Sequence, residues 1–135
     1  MLQAGVGGLA AAMAAAFRAA WGDAPQIIVV EPHAAPALYQ SILKGEPVVS
    51  EGPVSSMGRL DCKEPSYIAF KGLARDADVF ALVQDADVDT ALKLFAQHGL
   101  ETSPSGGAGL AAVFVGGLSL PKDARVLAIL SEGPI

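Results

Sequence analysis

The chain has 135 residues, a length that suits one domain with its own core. Hydrophobic residues make up 52% and charged residues 17%, and the net charge is −5 without any run of Lys or Arg. That balance excludes the basic footprint of a nucleic-acid binder and the basic amphipathic helix of a membrane-surface protein.

Met1 to Phe17 is apolar but opens with no basic residue, so it lacks the pattern of a secretory leader. Arg18 interrupts the run before it reaches membrane-spanning length. Residues 1–4 read as the end of a strand, which Gly5-Val6-Gly7-Gly8 breaks. An Ala-rich helix is expected from Leu9 to Trp21, stopped by Gly22 and Pro25. It is apolar nearly all round and should therefore be buried. Ile27 to Val30 is a continuous β-branched run suited to a strand covered on both faces, closed by Glu31-Pro32. Pro36 opens a second helix reaching about Lys44, and Val48-Val49 is a short strand candidate. Glu51 to Pro65 is rich in Gly, Ser and Pro and reads as a long functional loop. A helix is expected from Ser66 to Arg75, then a strand from Val79 to Val83. Asp87 is placed to cap a helix from Val88 to His98, with Gly99 as its stop. Val88, Ala91, Leu92 and Phe95 form its apolar stripe. Ser105 reads as the cap of an Ala/Gly-rich helix reaching about Gly117, and Arg125 to Leu130 as the last strand, ending at Ser131.

Strands alternating with helices predict an α/β fold: three layers, a mostly parallel sheet with helices on both faces, and residues 1–135 forming a single domain. The chain opens inside a strand-to-helix turn and stops just after a strand, as a piece of a larger body would.

Cys62 is the only cysteine, so neither an intrachain disulfide nor a zinc site built on cysteine pairs is expected. It reads as a small buried hydrophobe in a reducing, cytoplasmic setting. His33 and His98 have no metal-ligand company. Asp85, Asp87 and Asp89 lack the EF-hand spacing and read as solvated helix-start charges, so no metal site is expected. Ser105 does not sit in the G-x-S-x-G elbow of a hydrolase.

The glycine cluster at residues 5–8 is the chemical feature of the chain. Glycines let a backbone turn sharply and let an anion approach, and a following helix offers unpaired amides and a partial positive charge. A phosphate fits there without a lysine. Close packing alone is the plain alternative. Neither nucleotide fingerprint is met: the G-x-G-x-x-G spacing puts Ala10 where glycine is needed, and no Gly-Lys-Ser/Thr follows.

The stretch Gln3-Ala4-Gly5-Val6-Gly7-Gly8-Leu9-Ala10 resembles the phosphate loop of the tryptophan-synthase-β-like enzymes that depend on pyridoxal 5'-phosphate (PLP). Ile28 to Pro32 is similar to the strand ending in V-E-P that follows in that superfamily. Met57-Gly58-Arg59-Leu60-Asp61-Cys62-Lys63-Glu64-Pro65-Ser66 resembles the M-A-G-L-x-C-G-E-P-S segment of the diaminopropionate ammonia-lyase branch. Ser105-Gly106-Gly107-Ala108-Gly109-Leu110 resembles that branch's S-G-A-A-G-L helix start, and Ile129 to Gly133 its closing strand and S/T-E-G turn. The matches run in order through nearly the whole chain and correspond to the later part of the family's chain.

The resemblance implies that the backbone amides of Gly5, Val6, Gly7, Gly8 and Leu9 hold the PLP phosphate and that the Ser131 hydroxyl faces the pyridine nitrogen, leaving it largely unprotonated. It places Glu64 at the active-site mouth as a substrate contact, against the plainer reading of a solvated loop carboxylate. The implied reaction converts 2,3-diaminopropionate or a related small amino acid to a 2-oxo acid and ammonia. The implied partners are that substrate and either a second copy of the chain or a missing N-terminal fragment. The family's cofactor-bearing lysine and a helpful carboxylate lie before the glycine loop, in a segment absent here. Lys44, Lys63, Lys71, Lys93 and Lys122 do not occupy its motif, and Lys63 stands where the family has glycine. Ser103 stands before Pro104 where many dehydratase-like relatives carry an acid. The chain alone is therefore expected to be inert. The rival readings are a stand-alone anion-binding module and a non-catalytic interaction scaffold.

Overall fold

The computed structural model describes residues 1–115 and 117–135. Three parallel strands, β1 (Leu2–Gln3), β2 (Ile28–Pro32) and β3 (Val79–Val83), form a sheet in the order β1-β2-β3. Leu2 pairs with Val29, and Ile28 to Pro32 run opposite Val79 to Val83. All five residues of β2 are buried, Glu31 among them, as befits a central strand covered on both faces.

Helices cover both faces. On one side, α1 (Gly8–Trp21), α2 (Ala37–Lys44) and α3 (Tyr67–Asp76) bring Ala10, Ala14, Leu38, Phe70 and Leu73 against Ile27 and Val29. On the other, α4 (Asp85–Gln97) and α5 (Pro104–Phe114) bring Val88, Ala91, Phe95, Ala108 and Ala111 against Ile28 and Val30. The alternation of β2 thus feeds two separate cores, which gives the expected three-layer α/β architecture. Leu38 and Leu73 are fully buried, and truncating either to alanine would cost about 2–5 kcal/mol.

Several elements depart from the sequence reading. Val48-Val49 forms no strand: the Val48 amide donates to Ser41 Oγ, and Val49 is exposed. Arg125 to Leu130 runs beside β1 without a backbone ladder. The terminal amine of Met1 donates to the Leu127 carbonyl and the Gln3 side chain to that of Ile129, so non-ladder donors take the places a ladder would use. Asp87 is not a cap, because α4 begins at Asp85 with Gln84 at its N-cap. Asp85 is not simply solvated either. It accepts from the Ser55 hydroxyl at 2.7 Å and the Ser56 amide at 2.6 Å, anchoring the long loop. The cap of α5 is Ser103, whose hydroxyl accepts from the Gly106 amide, with Pro104 at the first helical position. Ser105 is buried and accepts from the Arg59 amide instead. The helix ends at Phe114, short of the expected Gly117, and Gly116 lies outside the described residues. Finally, α1 buries only Ala10 and Ala14 fully. Alanine's small apolar surface lets the outer side of that helix face water at little cost.

Candidate functional site

The carboxyl ends of β1 and β2 carry the connections in which α/β sheets bind ligands. There the residues after β1 line a hollow of about 220 Å³ whose wall comprises Gln3 to Leu9, Arg59, Leu60, Cys62, Ser131 and Glu132. A larger, apolar hollow of about 350 Å³ lies at the opposite strand ends, beside Trp21 and Leu127, and includes none of these loop residues.

The glycine loop is shaped by its neighbours. The Ala4 amide still donates to Val30, and the Ala11 amide makes the first bond inside the helix, to Gly7. Between them, the amides of Gly5 to Ala10 donate to no acceptor among the described residues. Gly7 sits at the N-cap with φ of 101°, the left-handed region that favours glycine. A Cβ on Gly5 would come within 2.8 Å of the Arg59 carbonyl and 3.0 Å of Cys62 Sγ. A Cβ on Gly8 would meet nothing within 4 Å, so this glycine leaves open space at the mouth of the helix. Unpaired amides, a helix terminus worth about half a positive charge, and free volume together fit a phosphate dianion.

The same hollow is lined by Ser131. Its Oγ accepts from Gln3 Nε2 at 2.9 Å, and its side chain is exposed towards the hollow. Glu132, on the same rim, lies 3.4 Å from the exposed Arg59 Nε. The long loop closes the remaining side and is well anchored. Ser66 N donates to the Val6 carbonyl, Ser50 N to that of Lys63, and Met57 is fully buried.

Gly5, Val6, Gly7, Gly8, Leu9 and Ser131 therefore meet in one hollow. Glu64 does not line it: its side chain is exposed at the end of the loop. No lysine lines it either. Lys63 Nζ is spent on the carbonyls of Ala34 and Pro53 and on the Asp61 carboxylate, which it holds below the usual carboxylate range. Glu31, within the Val-Glu-Pro segment, accepts from the Leu38 and Tyr39 amides at 2.8 and 2.7 Å and so caps α2. Burial pushes its pKa up to about 7, against the pull of those two amides. Sequence reasoning assigned no role to Gln3, Arg59 or Glu132. The signal available was Gln3 itself, an amide side chain at a buried position beside a glycine loop.

A family of pyridoxal-phosphate dependent enzymes matches residues 1–132. A diaminopropionate ammonia-lyase of Salmonella typhimurium is 30% identical over 154 aligned residues, covering 98% of this chain but 38% of the relative. A threonine deaminase from T.th. superposes with a TM-score of 0.80 at 26% identity, covering 90% of this chain and 44% of that one. A diaminopropionate ammonia-lyase from Escherichia coli, solved with D-serine, gives 0.72 at 27% identity, with 82% and 28% covered. The chain thus spans less than half the length of each of these relatives. With a phosphate-fitting glycine loop and a serine hydroxyl lining one hollow, and with a family match over nearly its whole length, this chain belongs to the pyridoxal-phosphate dependent enzymes.

Proposed function

We propose that this chain forms the phosphate-holding half of an ammonia-lyase site that acts on 2,3-diaminopropionate or a related small amino acid. The observation that carries the reading is the single hollow lined both by Gly5 to Leu9, whose amides lack acceptors among the described residues, and by Ser131. The amides would hold the phosphate of PLP, and Ser131 would hydrogen-bond the ring nitrogen. When bound, the cofactor supplies the electron sink for loss of a β-substituent, giving a 2-oxo acid and ammonia. The chain's own part is binding and orientation. Ser131 is a neutral partner and would leave the ring nitrogen unprotonated. The long loop from residue 51 to 65 screens one side from water.

Since no lysine lines the hollow, the amine that carries the cofactor would come from outside these 135 residues, and the chain by itself would be inert. Residues 1–135 would then be one part of a larger α/β domain. Exposed apolar side chains, among them Leu43, Val54 and Ile68, support a covering partner, either that segment or a second copy. The single free Cys62 fits a cytoplasmic setting. No helix among the described residues is long and apolar enough to cross a membrane.

The test is a titration of the chain with pyridoxamine 5'-phosphate, followed by ligand fluorescence, with inorganic phosphate as competitor. Saturable binding displaced by phosphate is expected. In parallel, borohydride trapping of pyridoxal 5'-phosphate should label no lysine in a site-specific way. Absence of saturable binding, or binding indifferent to phosphate, would refute the assignment. Stoichiometric trapping on one lysine would overturn the claim that the chain lacks its own cofactor-bearing amine.

A further inference from the structure

Gln3 is 2% exposed, and the two hydrogens of its side-chain nitrogen serve three acceptors, one of them shared: the Gly106 carbonyl at 3.1 Å, the Ile129 carbonyl at 2.9 Å and Ser131 Oγ at 2.9 Å. Two of these are carbonyls, which only accept, so the amide must present its NH₂ on this side. Its own oxygen is buried and meets no donor among the described residues. It lies against α5, where a Cβ on Gly109 would come within 2.7 Å of it. Gly109 thus leaves the amide the room that any side chain at that position would take.

The consequence falls on Ser131. A hydroxyl has one hydrogen and two lone pairs. With one lone pair occupied by Gln3, and no acceptor for its hydrogen among the described residues, the hydroxyl is free to point that hydrogen into the hollow. We infer that Gln3 is a positioning residue that sets Ser131 as a hydrogen-bond donor towards the cofactor ring, selecting a ring nitrogen that is unprotonated. This inference rests on the cofactor reading above and adds a residue to it. Had the neighbour been an acceptor, the hydroxyl would have turned its hydrogen away and offered the ring a lone pair, which favours a protonated nitrogen.

The test uses the full chain with pyridoxamine 5'-phosphate labelled with ¹⁵N in the ring, and inorganic phosphate as the control ligand. Ser131→Ala and Gln3→Met should each weaken binding of the labelled compound about tenfold, the effect of one hydrogen bond at a partly dry site. The double variant should be no weaker than either single one, because both changes remove the same interaction. Phosphate affinity should stay unchanged in all of them. The ring ¹⁵N shift should report an unprotonated nitrogen in the parent chain and move towards the protonated range in both variants, whereas Ser131→Thr should restore the parent shift. A merely structural role for Gln3 would lower phosphate and ring binding alike and leave the ring shift where it was. Losses that multiply in the double variant would also overturn the inference. Should Gln3→Met not fold, the side-chain amide of Gln3 in ¹H–¹⁵N spectra decides. Ser131→Ala must shift it, and an unmoved signal sinks the contact. If the parent chain binds neither ligand, the cofactor reading fails and this inference with it. If it binds both but Gln3 proves uncoupled, only the inference fails.

Discussion

Gly7 and Gly8 are adjacent in sequence, yet the structure assigns them opposite responses to the same substitution. In Gly7→Ala, the new Cβ would sit on a residue with φ of 101°, which costs an L-residue about 1–2 kcal/mol. It would also stand 2.9 Å from Ala69 Cβ and 3.0 Å from a Leu38 methyl, and both neighbours are buried. Overpacking of that kind costs about 1–3 kcal/mol, so the sum is about 2–5 kcal/mol. Gly8→Ala meets nothing within 4 Å and stands at the first position of α1 without a positive φ, where replacing glycine by alanine stabilises by about 0.4–1 kcal/mol. For a chain of this size, each kcal/mol moves Tm by about 3–5 °C. Thermal unfolding should therefore show Gly7→Ala lowered by roughly 6 °C or more, and Gly8→Ala raised by a few degrees. Phosphate binding should nevertheless weaken in Gly8→Ala, since the added methyl occupies the space at the helix mouth. Equal destabilisation by the two substitutions, or a Gly8→Ala chain that binds phosphate as well as the parent, would refute the assignment of the hollow.

Glu31 gives a pH signature. Its folded pKa, near 7, lies above the ordinary value of 4.5, so the folded state holds the proton more tightly than the unfolded state. Stability should be greatest below about pH 4.5 for this group and fall as pH rises towards 7, by at most about 3 kcal/mol. Denaturant midpoints for the parent and Glu31→Gln, compared across that window, should converge or cross, and a constant offset would contradict the burial argument. Asp85→Ala should release residues 51–65 from α4, costing about 1–2 kcal/mol and exposing that loop to limited proteolysis. Ser103→Ala should cost about 1 kcal/mol by removing the cap of α5. Ser105→Ala should leave the helix intact and loosen only Arg59, as helicity by circular dichroism and exchange of the Arg59 amide would show.

The three-layer order was legible because its signals are local. The β-branched run of β2, the matching β3 and the stripe on α4 each depend on spacing within one segment. The glycine loop was legible for the same reason, since the conformation of Gly7 and the packing against Gly5 leave few residue types open. What escaped were contacts over long separations. Gln3 reaches Ser131 across 128 positions, and Asp85 reaches back to Ser55 across 30. Nothing within either segment announces its partner. The caps failed for a subtler reason. Ser103 and Ser105 are equally good cap residues, and only Pro104 between them, fit for the first helical turn, separates the two. The missing last strand shows the same limit: Arg125 to Leu130 has a strand's composition, but donors that are not a ladder occupy its place beside β1.

Residues far apart in the sequence meet beside β1, with Met1 bonded to Leu127 and Gln3 to Ser131. Pairings of such long separation carry a high loop-closure cost and are expected to form late in folding. During synthesis the glycine turn leaves the ribosome well before the serine that lines the same hollow. A nascent chain could therefore assemble much of its helical framework while the pocket still lacked one wall, and competence to hold a ligand would wait for Ser131 to emerge.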